Sequence, residues 1–270
     1  MKLLSYSRLI TWFPCCNTML VVCDGMIRSG STWSFNVVMK LLRSADKSRR
    51  TFGLYDENPA VLRAGLRPRS SHLVVKSHSL DGSARDLCVS GALKTIYTWR
   101  HPYDVVASGL RMFHFSSDHA LHILREALRV WAFHRATKSA HIVAYESIVT
   151  KPRVAIAEIG AYLGLKTSNV DLLRIADEMS FENVKRLSQH VEELDPKRII
   201  RDNGQVCDRE THLHQNHVQD GRTGYGVRVL DEACLDAIDE VLVEEGFGFL
   251  SRGRVRSCRE PMGCRLAEWA

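Results

Sequence analysis

The run TMLVVCDGMIRSGSTW, which spans residues 18–33, decides the fold predicted for this chain. Its first seven residues are apolar and β-branched in the middle, a pattern typical of a strand that is buried on both faces of a parallel sheet. Gly25 and Gly30 follow, and apolar residues then recur at helical spacing over residues 35–42. The run therefore predicts a strand, a glycine loop and a helix in succession.

Strands and helices alternate along the rest of the chain. Short apolar runs predict strands at residues 72–76, 94–99 and 141–145. Apolar stripes at helical spacing predict helices over residues 121–131 and 156–163. This alternation predicts a doubly wound α/β fold, in which a mainly parallel sheet lies between two layers of helices and carries a P-loop-type phosphate-binding loop.

No linker or internal repeat divides the chain, so a single domain is predicted over residues 18–250. Residues 1–17 form an N-terminal extension, and residues 251–270 form a tail with five arginines that is predicted to be disordered. A last helix is expected over residues 230–245. The segment 181–216 is polar and lacks clear periodicity, which predicts a long loop or a mobile lid.

Composition excludes several classes of protein. Of the 270 residues, 45% are hydrophobic and 25% are charged, which is typical of a globular protein with a sizeable core. No apolar run approaches the roughly 18 residues of a membrane span, and Arg8 interrupts the apolar stretch near the start, so a signal peptide is disfavoured and a cytoplasmic location is predicted. The 37 basic and 31 acidic residues give a net charge of +6, which favours anionic ligands, but no nucleic-acid-binding motif is present.

The eight cysteines are scattered and form no C-x-x-C pair. This arrangement argues against a zinc site and against a disulfide scaffold. Reduced thiols are therefore expected.

The glycine loop has the chemistry of a phosphate site. Gly25 and Gly30, followed by Ser31 and Thr32, have the spacing of a nucleotide P-loop, in which backbone N–H groups converge on phosphate at a helix N-terminus. An ATPase or kinase needs a lysine directly before its Ser/Thr, whereas here the cation is Arg28, inside the loop. A phosphate ester bound without a metal therefore fits better than a magnesium triphosphate.

Five segments resemble the cytosolic-type sulfotransferases, in the order that this family has them. Residues 28–33, RSGSTW, resemble the family's Lys-Ser-Gly-Thr-Thr-Trp loop for the 5′-phosphosulfate. Residues 99–108, WRHPYDVVAS, resemble its 3′-phosphate segment. Residues 76–78 are similar to its Lys-Thr-His, residues 145–164 to its Tyr-Glu-Asp stretch with the following Pro and Leu-Gly, and residues 217–224 to the glycine loop that closes over the 3′-phosphate.

The resemblance implies transfer of a sulfuryl group from 3′-phosphoadenosine 5′-phosphosulfate to a hydroxyl or amine of an acceptor, without a metal. It implies that two anion sites hold the donor, since the donor carries phosphate at both ends of one ribose. The implied donor-binding residues are Arg28, Ser29, Gly30, Ser31, Thr32, Trp33, Arg100, Ser108, Tyr145, Gly221 and Arg222. Arginine suits the 3′ site because its planar fork matches a phosphate. Trp33 either stacks on adenine or packs as a core residue at a helix start.

The resemblance also implies three catalytic residues. His78 is the candidate general base because it follows Lys76 at a predicted strand end, where ligands collect in doubly wound sheets. Lys76 and Arg28 would hold the bridging oxygen as negative charge develops on it. Arg28 replaces the family's usual lysine, and a guanidinium stays protonated, so charge stabilisation and not proton donation is expected of it. A second departure is Gly226, where the family often has tryptophan.

Three further histidines, His212, His214 and His217, lie within six residues of one another. Such a group could bind a metal, but no acidic or cysteine ligand pattern accompanies it. The segment is therefore predicted to be a solvated loop, and no metal site is expected.

Two other functions stay open. A small-molecule P-loop kinase would require Mg²⁺ and ATP, and a non-catalytic nucleotide-binding relative would keep only the fold. The acceptor is expected to be a small molecule or carbohydrate, with no nucleic acid partner and no membrane span. Its identity depends on variable segments such as 51–70, 113–119 and the loop before Asn216. The oligomeric state stays open.

Overall fold

A parallel sheet of five strands lies at the centre of the protein. The structure is a computed structural model, and it describes residues 18–56, 71–80, 82–202, 204–219 and 221–252. The strands are β1 (Leu20–Gly25), β2 (Arg50–Tyr55), β3 (Ser71–Lys76), β4 (Lys94–Trp99) and β5 (Ala140–Ala144). Their order is β2-β3-β1-β4-β5, and every pair is parallel, with Val22 of β1 paired to Val75 and Thr95 on its two sides.

Helices follow the strands as the sequence predicts. They are α1 (Ser31–Ala45), α2 (Gly82–Val89), α3 (Pro102–Phe113), α4 (Ser117–Thr137), α5 (Tyr145–Thr150), α6 (Pro152–Tyr162), α7 (Asn169–Glu178), α8 (Phe181–Gln189), α9 (Gly226–Val229) and α10 (Glu232–Glu244). Local chemistry sets their starts. Ser116, Ser168, Ser180 and Asp231 cap the first turns of α4, α7, α8 and α10 with their side chains, and α3 and α6 each begin with a proline.

The two faces of the sheet are covered by different helices. Val22 and Tyr97 lie in the core that the sheet forms with α3, α4 and α10, whereas Val21 and Ile96 lie in the core that it forms with α1 and α6. Adjacent residues of a strand point to opposite faces, and helices cover both faces of this sheet, so all four side chains are fully buried. The predicted doubly wound α/β fold with three layers is confirmed.

Two regions differ from the sequence prediction. The edge strand β2 was not predicted, because residues 50–55 are mostly exposed and form no continuous apolar run. The loop predicted over residues 181–216 is wrong, since this segment contains α8, two turns of 3₁₀ helix, and an antiparallel hairpin of β6 (Ile199–Asp202) and β7 (Gln205–Asp208). Helix α8 buries only Val184 and Ser188, which leaves too narrow an apolar stripe to recognise.

The strand order fixes where a ligand can bind. The chain passes from β1 to β2 and β3 on one side and then crosses to β4 on the other side, so the order reverses between β1 and β4. The carboxyl ends of β1, β3 and β4 meet at this edge, which is where doubly wound sheets bind their ligands. None of the helices in the described ranges is both long and apolar enough to cross a membrane.

The predicted N-terminal extension, residues 1–17, lies outside the described residues, as does the tail from residue 253 onward. The single domain over residues 18–250 therefore stays a prediction. The last described residue, Arg252, pairs with Glu232 and Asp239 of α10 and so fixes the end of the described chain to that helix.

Candidate active site

A cavity of about 370 Å³ opens at the carboxyl edge of the sheet. Four cationic side chains line it: Arg28, Lys76, Arg100 and Arg111. Among the described residues that line the cavity, none is an aspartate or a glutamate. Four positive charges with no carboxylate at the wall make this a site for an anion.

Most of the predicted site residues meet in this cavity. Those that line it are Arg28, Gly30, Ser31, Thr32, Trp33, Lys76, His78, Arg100, Ser108, Tyr145 and Gly221. Ser29 and Arg222, which were also predicted, do not line it. The loop from β1, the ends of β3 and β4, and the closing loop (residues 217–226) thus contribute to one site.

The glycine loop presents the start of α1 to the cavity. Gly30 is the N-cap of α1 with φ +101°, and a Cβ at this position would lie 2.7 Å from Cδ1 of Ile148, so only glycine fits. No side chain caps the helix, and its first turn holds no acidic residue. The first N–H groups of a helix lack intrahelical partners, so this terminus, with Ser31 and Thr32 beside it, is suited to an anion.

Ser29 faces the opposite way. Its side chain is fully buried, its Oγ lies 2.6 Å from the carbonyl oxygen of Met26 and 2.7 Å from Oγ1 of Thr98, and its N–H donates to Met26. These bonds use the groups with which Ser29 would contact a ligand. Ser29 therefore supports the loop from below and does not face the cavity.

Arg28 reaches from the glycine loop to α3 and to the closing loop. Its Nε donates to Oγ of Ser108 at 2.9 Å, its Nη1 to Nε2 of His217 at 2.6 Å, and its Nη2 to the carbonyl oxygen of His217 at 2.7 Å. Burial, and then the nearby charge of Arg100, lower the pKa of Arg28 to about 10. The guanidinium is still charged at neutral pH, in a place where positive charge is disfavoured until an anion binds.

Arg100 follows β4 and is buried with only 4% exposure. Its guanidinium lies 4.0 Å from the ring centre of Tyr145, and it donates to the carbonyl oxygens of Arg28 at 3.1 Å and Arg222 at 2.8 Å. Its Nε is buried without a hydrogen-bond partner among the described residues and forms only a longer ion pair, of 3.9 Å, with Oδ2 of Asp104. Arg100 thus joins the glycine loop to the closing loop, and its Nε can still donate a hydrogen bond to a ligand.

The backbone of Arg222, and not its guanidinium, is the part of the residue that contacts Arg100. Its side chain is exposed and is not part of the cavity wall, whereas its carbonyl oxygen accepts from Arg100. The sequence places Arg222 in the right loop, but the turn of the chain decides which of its groups faces inward.

The closing loop is fixed to α3 by Asp104. The two carboxylate oxygens accept from the N–H groups of Gly224 and Gly226, each at 2.7 Å. A Cβ at Gly226 would lie 2.3 Å from the backbone of Tyr103, so no side chain fits at this position. This contact gives a physical reason for the glycine at a position where the resembled family often has tryptophan.

His78 is held as a neutral imidazole beside Lys76. Its Nδ1 donates to the carbonyl oxygen of Gly25 at 3.0 Å, which leaves the lone pair on Nε2, 3.4 Å from Nζ of Lys76. Burial, and then the charge of Lys76, lower the pKa of His78 to about 3. Nε2 is therefore free of a proton at neutral pH, as a general base must be.

The three clustered histidines are not in a solvated loop, and that prediction is wrong. His212 is buried with its ring centre 4.9 Å from that of Phe35, and His214 and His217 line the cavity with ring centres 5.3 Å apart. Spacing alone did not show which side of the segment faces inward. Within the described ranges, no group of three or more His, Cys, Asp or Glu side chains is placed to hold a metal ion.

Trp33 packs as a core residue at the start of α1 and also reaches the cavity, whereas its stacking on adenine stays a prediction. It is 6% exposed in the core, its Nε1 donates to the carbonyl oxygen of Met179 at 2.8 Å, and it also lines the cavity. The sequence did not single out several other residues that line the cavity, among them Tyr55, Arg111, Phe181 and Tyr225. Phe181 begins α8, which the polar composition of its segment concealed.

Three comparisons with known structures show a similar fold. Mouse sulfotransferase SULT7A1, solved with PAP, superposes with a TM-score of 0.60 at 15% identity over 84% of this chain and 83% of that one. A retinol dehydratase in complex with retinol and PAP gives 0.57 at 18% identity, over 86% of this chain and 82% of that one. A retinol dehydratase with androsterone and inactive cofactor PAP gives 0.57 at 16% identity, over 83% and 80%.

The family of the chain is identified from its sequence. Comparison with curated proteins gives no match to this chain. The sequence model of the sulfotransferase domain, however, matches residues 17–220, which cover the sheet and most of the residues around the cavity. The chain therefore belongs to the sulfotransferase domain family.

Proposed function

We propose that this protein transfers a sulfuryl group from 3′-phosphoadenosine 5′-phosphosulfate to a hydroxyl or amine of a small-molecule acceptor. The observation that carries the proposal is the cavity with four cations and no carboxylate among the described residues of its wall. Two distinct anion sites lie within it, one at the uncapped start of α1 and one at Arg100 and Ser108 on the α3 side. A ligand with anionic groups at both ends of one ribose matches both sites.

The unused donors of the site support this ligand. The N-terminus of α1 and the hydroxyls of Ser31 and Thr32 would hold the 5′-phosphosulfate. Arg100, whose Nε is buried without a hydrogen-bond partner in the described part of the chain, would hold the 3′-phosphate together with Ser108. Trp33 offers an aromatic wall for the adenine. Every one of these groups is a donor or an aromatic face, which is what an anionic nucleotide requires.

In the proposed reaction, the acceptor oxygen or nitrogen forms a bond to sulfur while the bond from sulfur to the phosphate oxygen breaks. The proton of the acceptor passes to Nε2 of His78, and the negative charge on the departing phosphate oxygen is stabilised by Lys76 and Arg28. His78 suits this role because its Nδ1 is fixed on Gly25, so that Nε2 keeps its lone pair beside the cavity. Positioning and charge stabilisation are the main tasks of the protein in such a transfer.

Arg28 has to leave part of its present network to act in this way. Its guanidinium is bonded to Ser108 and His217, on the α3 side of the cavity. The oxygen of the Ser108 hydroxyl accepts from Nε of Arg28, and its hydrogen remains available to donate to a phosphate oxygen. Arg28 and the donor nucleotide can therefore share Ser108, which couples the position of a catalytic cation to binding of the donor.

The acceptor is proposed to be a small molecule with a ring or apolar part. Phe113 and Phe115 line the cavity, with ring centres 5.1 Å apart, and Val218 adds an apolar surface from the closing loop. Such a wall buries apolar area, whereas Lys76 and His78 supply the polar end at which the reacting group is held.

The two alternatives are less well supported. A kinase that uses magnesium needs oxygen ligands, typically carboxylates, around the phosphates, and the described residues of the cavity wall provide no carboxylate. A non-catalytic relative has no use for a lysine and a neutral histidine placed 3.4 Å apart at the cavity.

A ligand titration tests the proposal. We expect 3′,5′-adenosine bisphosphate to raise the melting temperature of the protein, equally with and without EDTA, and Mg²⁺-ATP to raise it much less. Transfer of labelled sulfate from the donor to a panel of phenols, alcohols and amines then tests catalysis. Stabilisation by Mg²⁺-ATP alone would favour the kinase, and binding of the bisphosphate without transfer by a fully folded sample would favour the non-catalytic relative.

A further inference from the structure

The hydroxyl of Tyr225 is a buried polar group that has no part in the proposed reaction. Tyr225 is 6% exposed and lines the cavity, and its Oη is buried without a hydrogen-bond partner among the described residues. Buried polar groups are rarely left in this state, because they lose their water without gaining another partner. A hydroxyl of this kind at the wall of a cationic cavity indicates a ligand that accepts a hydrogen bond.

The backbone around Tyr225 is held in place. Asp104 accepts hydrogen bonds from Gly224 and Gly226, the residues two apart that flank Tyr225, and Gly226 packs directly on the backbone of Tyr103. Since all these contacts are made to the first turn of α3, the ring of Tyr225 is fixed relative to the helix that carries Ser108. A fixed donor loses little freedom when it binds, which makes it suited to discriminate between ligands.

Two arginines approach the ring of Tyr225. Cζ of Arg100 lies 5.7 Å from its centre and Cζ of Arg111 lies 5.5 Å from it. Arg111 comes three residues after Ser108 on α3, hence on the same face of the helix and one turn farther along. Unlike Arg100, Arg111 is exposed, and it lines the cavity. Tyr225 is therefore close to both a buried cation and an exposed one, on the side of the cavity where Ser108 lies.

We propose that Tyr225 and Arg111 are specificity-determining residues for the phosphate that Arg100 and Ser108 receive, which is the 3′-phosphate of the nucleotide. The inference rests on the proposed function and assigns to its 3′ site two residues that the sequence did not indicate. Oη of Tyr225 donates a hydrogen bond to a phosphate oxygen. Arg111 adds long-range attraction at the exposed end of the site, and so takes the part that was predicted for the guanidinium of Arg222.

The test measures selectivity, since 5′-AMP lacks only the 3′-phosphate of 3′,5′-adenosine bisphosphate. Calorimetric titration of Tyr225→Phe should show a loss of about 10- to 100-fold in affinity for the bisphosphate, because a hydrogen bond to a charged group is removed, and less than about twofold for 5′-AMP. Arg111→Gln should weaken the bisphosphate by about two- to fivefold, and this loss should shrink as salt is raised, because an exposed charge is screened.

Two variants serve as matched controls. Tyr103→Phe removes a buried tyrosine hydroxyl that bonds to Asp239 and is not part of the cavity wall, and Arg228→Gln removes an exposed arginine of α9 that is also absent from the wall. Both should keep the affinity ratio of the two nucleotides. Equal losses for the two nucleotides in Tyr225→Phe, or no loss for either, would overturn the assignment while the wild-type preference for the bisphosphate stood. A wild-type protein that binds the two nucleotides equally would instead overturn the proposed function, and the assignment with it.

Discussion

Arg28 and Ser108 are 80 residues apart in the sequence, yet Nε of Arg28 donates to Oγ of Ser108 at 2.9 Å. One residue belongs to the glycine loop after β1 and the other to α3 after β4. The bond therefore spans the point between β1 and β4 at which the strand order reverses. In the proposed reaction it connects the site of the 5′-phosphosulfate with that of the 3′-phosphate.

The first prediction concerns the charge of Arg28. Replacement by methionine should lower kcat by about 10²- to 10³-fold, since a preorganised charge near the departing oxygen is lost. The melting temperature of the unliganded protein should change little. Burial and the neighbouring Arg100 lower the pKa of Arg28, which means that its charge destabilises the folded protein at neutral pH. Removing this charge therefore offsets the stability lost with the hydrogen bonds to Ser108 and His217.

Steady-state kinetics and thermal unfolding of the same samples check this prediction. Lys40→Met serves as the matched control, because Lys40 pairs with Glu178 on α7 and does not line the cavity at the carboxyl edge of the sheet. Turnover at the wild-type level in Arg28→Met would show that Arg28 takes no part in the reaction.

A second prediction concerns the planar fork of Arg100. Arg100 donates to the carbonyl oxygens of Arg28 and Arg222 and keeps Nε for the ligand. Arg100→Lys preserves the charge but cannot make these contacts together, so it should weaken binding of 3′,5′-adenosine bisphosphate by about tenfold or more. Binding of 5′-AMP should suffer much less. Titration of both nucleotides decides the question, and a lysine variant with wild-type selectivity would show that charge alone is sufficient.

The strand, glycine loop and helix at residues 18–45 could be predicted because their signals are local. The run of apolar residues in β1, the glycines, and the apolar spacing of α1 are all read within about thirty residues. Strand β2 gives no such signal. Its residues are mostly exposed, and it is a strand because it pairs with β3, which no local pattern of residues 50–55 reveals.

The site was predictable where a residue sits at the end of a strand and less so where it sits in a loop. Lys76 ends β3 and Arg100 follows β4, so the sheet itself carries both to the cavity. Arg222 and His217 lie in the closing loop, where contacts to distant residues decide which group faces inward. His217 is turned toward the cavity by its bonds to Arg28, 189 residues away, and no spacing in the sequence encodes that contact.

A third prediction concerns stability in acid. Burial lowers the pKa of three histidines, His101, His134 and His212, to about 4, and each is at least nine-tenths buried. Their ordinary pKa near 6.5 holds in the unfolded chain, which therefore binds more protons than the folded protein between about pH 6.5 and pH 4. The free energy of unfolding is therefore highest above pH 6.5, where these histidines are neutral in both states, and it falls as the pH is lowered toward 4.

Urea unfolding at a series of pH values measures this loss. Each of these histidines should lower the free energy of unfolding by about 1.4 kcal/mol per pH unit below 6.5. The slope should be reduced in a His134→Gln variant, which removes one titrating group, whose Nδ1 is hydrogen-bonded to Oγ of Ser139. A free energy of unfolding that stays constant from pH 7 to pH 4.5 would contradict the burial of these imidazoles in neutral form.

The last prediction concerns His78 as the general base. His78→Asn should lower kcat by about 10²- to 10⁴-fold while leaving the affinity for 3′,5′-adenosine bisphosphate nearly unchanged, because the imidazole acts on the acceptor. His101→Asn is the matched control, since His101 is the N-cap of α3, where asparagine is well tolerated, and it is not part of the cavity wall. The dependence of kcat/KM on pH, which reports the free enzyme, gives an independent reading. An unperturbed histidine would lose activity below about pH 6.5, but burial and the charge of Lys76 lower the pKa of His78 to about 3, so the neutral base persists and kcat/KM should stay level from pH 7.5 down to pH 5. A fall in kcat/KM centred near pH 6.5 in the wild type, or full turnover in His78→Asn, would show that another group accepts the proton.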